Sequence, residues 1–94
     1  MAHGYRLVST SSFERDVRTL TKRNLKLLSQ IESSLDILEE DPRNVSQQYP
    51  IKKLVGVKPG QGQWRIRLGN FRLRYDLIGN DVILYSFKHR KEAY

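Results

Sequence analysis

Cysteine is absent from this 94-residue chain, and several other features that identify protein classes are missing with it. Without a thiol there is no disulfide framework and no thiolate metal site, which fits a reducing compartment. No apolar run approaches the ~18 residues of a membrane span, and no signal-peptide segment follows the N-terminus. Phosphate-loop and dinucleotide motifs are also absent, as is any histidine–carboxylate cluster at metal-ligand spacing. We therefore expect a cytoplasmic protein with no cofactor, no bound metal and no membrane association.

Length and composition predict one small folded domain over residues 1–94. The chain is near the lower end of domain sizes. Its residues are 38% hydrophobic and 10% aromatic, which suffices for a core and argues against a disordered chain. A chain this short buries about two-thirds or less of its unfolded surface, so the core is expected to be small.

Acidic residues are scarce in the second half of the chain. Overall, 17 Lys and Arg against 10 Asp and Glu give a net charge of +7. Residues 1–46 hold seven basic and seven acidic side chains, whereas residues 47–94 hold ten basic and three acidic. The whole excess therefore lies in the second half. It points to a polyanionic partner, most simply nucleic acid, with a basic membrane-surface protein as the alternative on charge alone.

The first half reads as a strand followed by a helical hairpin. Residues 5–8 form the expected strand, and Ser11 with Glu14 at capping-box spacing marks the start of a short helix. A longer helix is predicted over residues 25–40, and Asp41-Pro42 ends it because the residue before proline avoids the α region. The apolar stripe predicted for this helix consists of Leu28, Ile31, Leu35 and Leu38, widened by Leu27 and Ile37.

The second half reads as three or four antiparallel strands. Residues 51–55 fit a short strand or an extended lead-in. Residues 64–77 form a hairpin of two alternating runs joined by the two-residue loop Gly69-Asn70. Residues 82–87 are almost continuously apolar, which predicts a central strand buried on both faces. The predicted fold is α+β: a strand, a two-helix hairpin, then a three- or four-stranded antiparallel sheet packed on the helices.

The hairpin carries the strongest physical signal. Its two-residue loop places Arg67 opposite Arg72, and two residues further along Arg65 faces Arg74. We call these four residues the arginine ladder. The opposite face is predicted to carry Trp64, Ile66, Leu68, Phe71, Leu73, Tyr75 and Leu77 against the helices. The simplest interpretation is an ordinary solvent-exposed face on which the arginine stems cover apolar surface. Four arginines in register without a counter-charge are destabilising, which favours a face that holds a phosphodiester backbone.

Three segments, taken in order, resemble the RelE/ParE superfamily of toxins from toxin–antitoxin systems. They are Lys53-Leu54-Val55-Gly56, the run from Trp64 to Tyr75, and the tail with His89-Arg90 and Tyr94. The resemblance spans nearly the whole chain, and it is the order of the segments that is specific. It implies a RelE-like fold, a small antiparallel sheet on two N-terminal helices, in agreement with the pattern above. RelE-like members cleave messenger RNA in the ribosomal A site, whereas ParE-like members inhibit DNA gyrase.

The resemblance favours the RNA-cleaving branch. Basic residues stand where RelE-like toxins use them, although some relatives carry lysines at the positions of Arg65 and Arg67, so the general base stays open. The implied reaction is metal-independent: the ribose 2′-OH attacks the adjacent phosphorus and leaves a 2′,3′-cyclic phosphate and a 5′-OH. The residues expected to take part in catalysis are Lys53, Arg65, Arg67, Arg72, His89, Arg90 and Tyr94. Those expected only to bind RNA are Lys52, Arg74, Lys88 and Lys91.

Roles within the catalytic set follow from the chemistry. Arginine supplies cations for the phosphorane but does not deprotonate in proteins. The proton carriers are therefore expected among Lys53, His89 and Tyr94, since crowding by arginines favours the loss of a proton. The expected partners are messenger RNA on the ribosome and a cognate antitoxin whose disordered segment folds over the toxin. A gyrase inhibitor without chemistry of its own, a non-catalytic nucleic-acid-binding module and an inactive toxin relative are the alternatives.

Overall fold

The computed structural model describes residues 4–92, and it confirms the predicted α+β architecture. The predicted span of the long helix, residues 25–40, is confirmed as well. None of the helices in the described part of the chain is long and apolar enough to cross a membrane. In chain order the elements are β1 (Arg6–Ser9), α1 (Ser11–Thr21), α2 (Leu25–Glu40), β2 (Ile51–Lys53), β3 (Trp64–Leu68), β4 (Phe71–Ile78) and β5 (Asp81–His89).

The strands form one five-stranded mixed sheet in the order β1-β5-β4-β3-β2. Strands β2 to β5 are antiparallel neighbours, as predicted. The first strand joins the same sheet in parallel, with Arg6 beside Asp81 and Ser9 beside Leu84. The sheet was predicted with three or four antiparallel strands, so the prediction has one or two strands too few and lacks the parallel pair. The two strands are far apart in sequence, so the pairing leaves no mark in the local pattern.

Helix α1 begins one residue earlier than the capping-box spacing predicts. Thr10, in extended conformation, is the N-cap, and its hydroxyl accepts a hydrogen bond from the Phe13 amide at 3.2 Å. The predicted cap, Ser11, is the first helical residue. Threonine and serine both cap helices well, so the local signal does not separate two adjacent candidates.

Side chains of α1 also complete the edge of β5 beyond the end of β1. Thr10 and Ser12 donate hydroxyl hydrogen bonds to β5 carbonyls, and the Asp16 carboxylate accepts from a β5 amide. Buried backbone groups need partners, and here a helix supplies what a longer β1 would have supplied. The β5 groups involved are the Leu84 carbonyl at 2.7 Å, the Tyr85 carbonyl at 3.0 Å and the Phe87 amide at 3.1 Å.

The core lies between the two helices and one face of the sheet, which we call the inner face. The α2 residues that are buried there include Leu27, Ile31 and Leu38, whereas Leu28, predicted in the stripe, is 38% exposed. The stripe is therefore centred on Leu27. The buried apolar residues of the core are Phe13, Leu27, Ile31, Leu38, Ile66, Leu68, Leu73, Tyr75, Val82, Leu84 and Phe87.

Strand β5 is central in the sheet, as predicted, but it is not buried on both faces. Val82 and Leu84 are buried while Ile83 and Tyr85 are only partly buried. The reason is that both helices bury their apolar side chains against the inner face. The opposite side of the sheet, which we call the outer face, carries the arginine ladder.

A β-bulge at Tyr85 changes which side chains of β5 reach the outer face. Arg74 pairs with Ser86 while Tyr75 pairs with Leu84, so Tyr85 is an extra residue in β5. A residue inserted in one strand shifts every later side chain to the other face. After the bulge Lys88, rather than its neighbour, lies on the outer face.

Candidate nucleic-acid interface

The arginine ladder forms with the predicted register. Leu68 pairs with Phe71 across the turn, Arg67 pairs with Arg72, and Arg65 with Arg74. Paired residues of antiparallel strands point to the same face, so all four arginines share the outer face. Of the four, Arg67 is exposed, whereas Arg65, Arg72 and Arg74 are partly buried.

Two lysines extend the ladder at its flanks. Lys52 of β2 pairs with Arg65, and Lys88 of β5 pairs with Arg72. The outer face therefore carries two rows of three cations each across four strands. One row runs Lys52, Arg65, Arg74 and the other runs Arg67, Arg72, Lys88. We call these six residues the basic face.

Arg72 is held by the turn of its own hairpin. One terminal nitrogen of its guanidinium donates to the carbonyls of Gly69 and Phe71, both at 2.9 Å. Its Nε is buried and has no hydrogen-bond partner within residues 4–92. A buried donor without a partner is rare in native proteins and often marks a functional group. The turn thus fixes the orientation of the guanidinium, while its Nε stays buried beneath it.

Arg74 is held differently, by a loop that closes over the outer face. Its Nε donates to the Gly62 carbonyl at 3.0 Å, and one terminal nitrogen donates to the Gln61 carbonyl at 2.6 Å. Its guanidinium carbon lies 5.6 Å from the ring centre of Tyr85. These donors point into the protein's own backbone, so Arg74 serves the shape of the face at least as much as its charge.

The loop itself is held by Asp76, which lies on β4 two residues after Arg74. Its carboxylate is 4% exposed and accepts from the amides of Gly60, Gly62 and Gln63 at 2.9–3.1 Å. Gly62 has a positive φ of +75°, and a Cβ there would lie 2.9 Å from side-chain atoms of Arg74 and Tyr85. In the sequence, the role of Asp76 was indicated only by its position as an acid on the arginine-bearing face, together with Gly60 and Gly62 in the preceding loop.

Lys88 is oriented by an acid from α1. Its ammonium donates to Asp16 at 3.0 Å, and the second Asp16 oxygen accepts from the Phe87 amide at 3.1 Å. The Asp16 side chain is 8% exposed and that of Lys88 is 43% exposed. A buried carboxylate therefore anchors an amine that reaches solvent on the basic face. Asp16 was missed because it sits within a helix whose pattern indicates only packing.

Two of the expected proton carriers do not stand with the arginines. Lys53 pairs with Trp64 on the inner face, and its ammonium lies 5.8 Å from the centre of that ring. His89 pairs with Phe71, whose ring it meets edge-on with 5.4 Å between centres. The expectation that arginines crowd Lys53 and His89 is therefore wrong for the ladder, because the strand register puts both on the other face.

The tail residues lie at the hairpin end of the sheet. The amide of Arg90 donates to the Asn70 carbonyl at 2.7 Å, which brings the end of β5 beside the turn of the ladder. Lys91 is exposed in the turn that follows, and its amide donates to His89 Nδ1 at 3.3 Å. Tyr94, expected to take part in catalysis, lies outside the described residues.

Tyr75 lies on the inner face and is not available to the basic face. Its hydroxyl is buried and donates to the Pro42 carbonyl at 2.6 Å. Burial, together with the nearby charge of Asp41, raises the pKa of Tyr75 far above its usual value. Within residues 4–92, no three His, Cys, Asp or Glu side chains come together as a metal site would require.

Solved structures with the same fold are toxins. YafQ from Escherichia coli BL21(DE3) aligns with a TM-score of 0.72 and 13% identity, covering 96% of this chain and 98% of that chain. The archaeal RelE–RelB complex from Pyrococcus horikoshii OT3 gives a TM-score of 0.70, 23% identity and coverages of 95% and 98%. The RelBE2 toxin–antitoxin complex from Mycobacterium tuberculosis gives 0.67, 24%, and coverages of 93% and 99%. At these identities the similarity is one of fold.

Sequence comparison identifies the family. A search of curated proteins gave no match. A family model described as the ParE toxin of the type II toxin–antitoxin system parDE matches residues 7–94, nearly the whole chain. Together with the fold, this confirms the resemblance to the RelE/ParE superfamily. The chain belongs to the ParE toxin family of type II toxin–antitoxin systems.

Proposed function

We propose that this toxin is an endoribonuclease that cuts messenger RNA in the A site of the ribosome, in the cytoplasm. The ribose 2′-OH attacks the adjacent phosphorus in line, the bond to the 5′-oxygen breaks, and the products are a 2′,3′-cyclic phosphate and a 5′-OH end. The charge that develops on the phosphorane is met by guanidinium groups rather than by a metal ion. Cleavage in this way inhibits translation.

The basic face is the observation that carries this proposal. It brings six cations into two rows across four strands. Of the acids beside it, Asp76 is directed into backbone amides, and Asp16 pairs with Lys88 alone, so the four arginines gain no counter-charge from either. Like charges directly opposite each other weaken a sheet, so the arrangement carries a cost in the absence of an anion. A phosphodiester backbone lying across the rows removes that cost, and arginine forks fit its oxygens.

Arg72 is the side chain that we assign to the scissile phosphate. Its guanidinium is already oriented by the turn. It also lies in the middle of its row, between Arg67 and Lys88, so a phosphate placed on it meets cations on both sides. Arg65 and Arg67 flank it and stabilise the developing charge, and Arg90 lies next to the same turn on the side of the leaving oxygen.

Amines of the basic face are proposed to move the protons. Lys52, opposite Arg65, takes the proton of the 2′-OH. Lys88, opposite Arg72 and oriented by Asp16, protonates the 5′-oxygen. The two amines lie on opposite flanks of the ladder, so each is assigned to a different oxygen of the reaction.

The remaining residues of the expected set keep weaker roles. Lys53 and His89 lie on the inner face, so a part in catalysis stays a prediction that their geometry does not favour. The role of Tyr94 stays a prediction that rests on the resemblance alone. Lys91, exposed after β5, stays a candidate contact for RNA.

A cognate antitoxin is the proposed protein partner. Structures with this fold include toxins bound to antitoxins, namely YafQ with DinJ and RelE with RelB. A small partner whose flexible, acidic segment covers the basic face would both neutralise its charge and exclude RNA. Co-expression of this toxin with its neighbouring small gene is expected to yield a stable complex that has lost RNA cleavage.

The proposal is tested on ribosome-bound messenger RNA. Wild type is expected to give discrete cuts by primer extension, and Arg72→Ala to cut about 10²–10³-fold more slowly, as for loss of one donor to a transition-state oxyanion. Arg23→Ala, an exposed arginine between the helices, is the charge-matched control and is expected to match wild type. Equal cutting by Arg72→Ala and wild type would remove Arg72 from the site.

The chemistry is tested by the product and by chelation. Cleavage in excess EDTA, on ribosomes washed and then restored with a polyamine, is expected to leave 2′,3′-cyclic phosphate ends. The metal-free route would be contradicted if EDTA abolished cutting and if cutting returned when only the toxin had been supplied with a divalent cation beforehand.

Gyrase inhibition is the second candidate function, and the family description favours it, because the matching family is named for ParE toxins. A protein that only binds gyrase needs no proton carrier and no oriented phosphate donor. Purified toxin that blocks DNA supercoiling by gyrase, while leaving ribosome-bound messenger intact, would establish this function instead. Steep salt dependence of RNA binding with neither effect would indicate a non-catalytic binding module.

A further inference from the structure

A depression of about 330 Å³ adjoins the basic face, between α1 and the outer side of β4 and β5. Its volume lies at the low end of the range for small-molecule pockets, roughly 300–1,000 Å³, which suits one nucleotide unit. The lining combines cations, hydroxyls, an aromatic ring and carboxylates. The lining residues used below are Arg15, Arg74, Tyr85, Ser86, Lys88 and Glu92.

The depression is continuous with the basic face. Arg74 and Lys88 belong to both, and Lys88 is the strand partner of Arg72. Partners on antiparallel strands lie about 4.5–5.5 Å apart between Cα atoms. A strand of RNA with its phosphate on Arg72 therefore reaches the depression with the very next nucleotide.

The charges of the lining select the class of ligand. Arg15 is exposed on α1 and, with Lys88, gives the depression two cations that a phosphate can reach. Asp16 also lines it, but its two oxygens already accept from Lys88 and the Phe87 amide. Within residues 4–92, no hydrogen bond or ion pair to the Glu92 carboxylate is observed. This carboxylate therefore repels a bare phosphate ion. The occupant therefore combines a phosphate group with a ring that donates N–H to a carboxylate.

An aromatic surface completes the fit. The Arg74 guanidinium lies over the Tyr85 ring with 5.6 Å between the guanidinium carbon and the ring centre. Unstacked bases of single-stranded RNA stack on aromatic rings and on guanidinium planes. The backbone carbonyls of the loop hold Arg74 in place, so this surface exists before any ligand arrives.

We infer that this depression is a nucleotide subsite that holds the nucleotide next to the scissile phosphate. Arg15 and Lys88 face its phosphate, the Arg74–Tyr85 pair stacks on its base, and the Glu92 carboxylate accepts from an exocyclic amino group. Cytosine presents an amino group where uracil presents a carbonyl oxygen, so the subsite selects cytidine over uridine. Its place next to a scissile phosphate rests on the proposed function, whereas nucleotide binding does not.

The test measures the binding of three probes to the purified toxin: cytidine 3′-monophosphate, uridine 3′-monophosphate and inorganic phosphate. Titration gives the affinity of each probe, and changes in backbone-amide NMR chemical shifts show where it binds. The cytidine nucleotide is expected to bind about tenfold more tightly than the uridine nucleotide, the effect of one discriminating contact. Arg15→Ala weakens both, Glu92→Gln abolishes the difference, and Arg18→Ala, on the same helix but outside the depression, changes neither. Equal binding of all three probes, or shifts confined to residues away from Arg15 and Ser86, would overturn the inference.

Cleavage separates this inference from the proposed function. If wild type cuts ribosome-bound messenger and Arg15→Ala changes its choice of cutting sites, both hold. If wild type binds cytidine 3′-monophosphate in the depression and does not cut, the endonuclease proposal fails and the subsite stands. If wild type cuts but the nucleotides do not bind in the depression, the subsite inference is wrong and the endonuclease proposal stands. The same conclusion follows if Arg15→Ala alters only the binding of gyrase or antitoxin.

Discussion

Replacing Asp76 with asparagine is expected to loosen the loop that closes over the basic face. In the wild type, Oδ1 accepts from the amides of Gly60 and Gln63, and Oδ2 accepts from Gly62. An asparagine keeps one oxygen and so retains two acceptor contacts. Its amide nitrogen then meets the Gly62 N–H, donor against donor, at the contact that is fully buried.

The magnitude follows from these contacts. A hydrogen bond to a charged group contributes about 1.5–3 kcal/mol, and a buried donor left unpaired costs a similar amount. Relief from burying the carboxylate charge opposes part of this loss. We expect Asp76→Asn to lower the free energy of unfolding by about 2 kcal/mol and Asp76→Ala, which orphans all three amides, by about 4 kcal/mol. That is a large share of the roughly 5–15 kcal/mol that stabilises a typical domain.

Urea denaturation followed by circular dichroism measures the effect. The matched control is Asp81→Asn, whose carboxylate bonds to the exposed Arg6 at 3.0 Å and is expected to matter little. Amide exchange should become faster in residues 60–63 and stay unchanged in the strand pair β1–β5. If Asp76→Asn and Asp81→Asn unfold at the same urea concentration, the carboxylate does not hold the loop as described.

Three further predictions concern stability. Gly62→Ala should lower the melting temperature clearly more than Gly56→Ala. Both positions have a positive φ, +75° and +79°, but only at Gly62 would the new Cβ lie 2.9 Å from two side chains. Equal losses would show that backbone strain alone acts. Tyr75→Phe should cost about 1–3 kcal/mol in urea, because the buried Pro42 carbonyl loses its donor, and a neutral result would mean that water replaces it. At Asp41, partial burial pushes the pKa up, but hydrogen bonds from Ser46 and the Val45 amide outweigh it, so the net pKa is lowered. The stability that Asp41 contributes is therefore present above the pKa it has in the unfolded chain, and it disappears as the pH falls through the lower pKa it has in the folded protein. Asp41→Asn should make the free energy of unfolding depend less steeply on pH in the acid range. An unchanged dependence would contradict this.

The hairpin was predictable in full because two short-range signals agree. The loop Gly69-Asn70 fixes the pairing of Arg67 with Arg72, and alternation then assigns every side chain to a face. The long helix was equally predictable, since its bounds follow from apolar spacing and from Asp41-Pro42. Both elements are specified by residues close together in the chain.

What escaped prediction depends on contacts between distant segments. The parallel pairing of β1 with β5 joins residues from opposite ends of the chain. Asp76 gains its role from a loop that folds back over the sheet, and Asp16 gains its role from the strand beside its helix. Neither acid has a local pattern that distinguishes it from a solvated side chain.

The placement of Lys53 and His89 escaped prediction for a related reason. The face of Lys53 depends on the register of β2 against β3, which no turn fixes because a ten-residue connection, 54–63, separates them. The face of His89 depends on the bulge at Tyr85, since simple alternation from Val82 would have turned His89 to the outer face and Lys88 to the core.

That bulge lets β5 carry one residue more than its partner strand without moving the charges that follow it. Because Tyr85 is the extra residue, its deletion would leave Leu84 opposite Tyr75 and Ser86 opposite Arg74. Lys88 would then stay opposite Arg72, and His89 would stay on the inner face. The side chain lost would be the ring that lies under the Arg74 guanidinium. A single-codon deletion could therefore remove an aromatic surface from the outer face and keep its cations, and an alignment without a gap would match Lys88 with the wrong residue of such a relative.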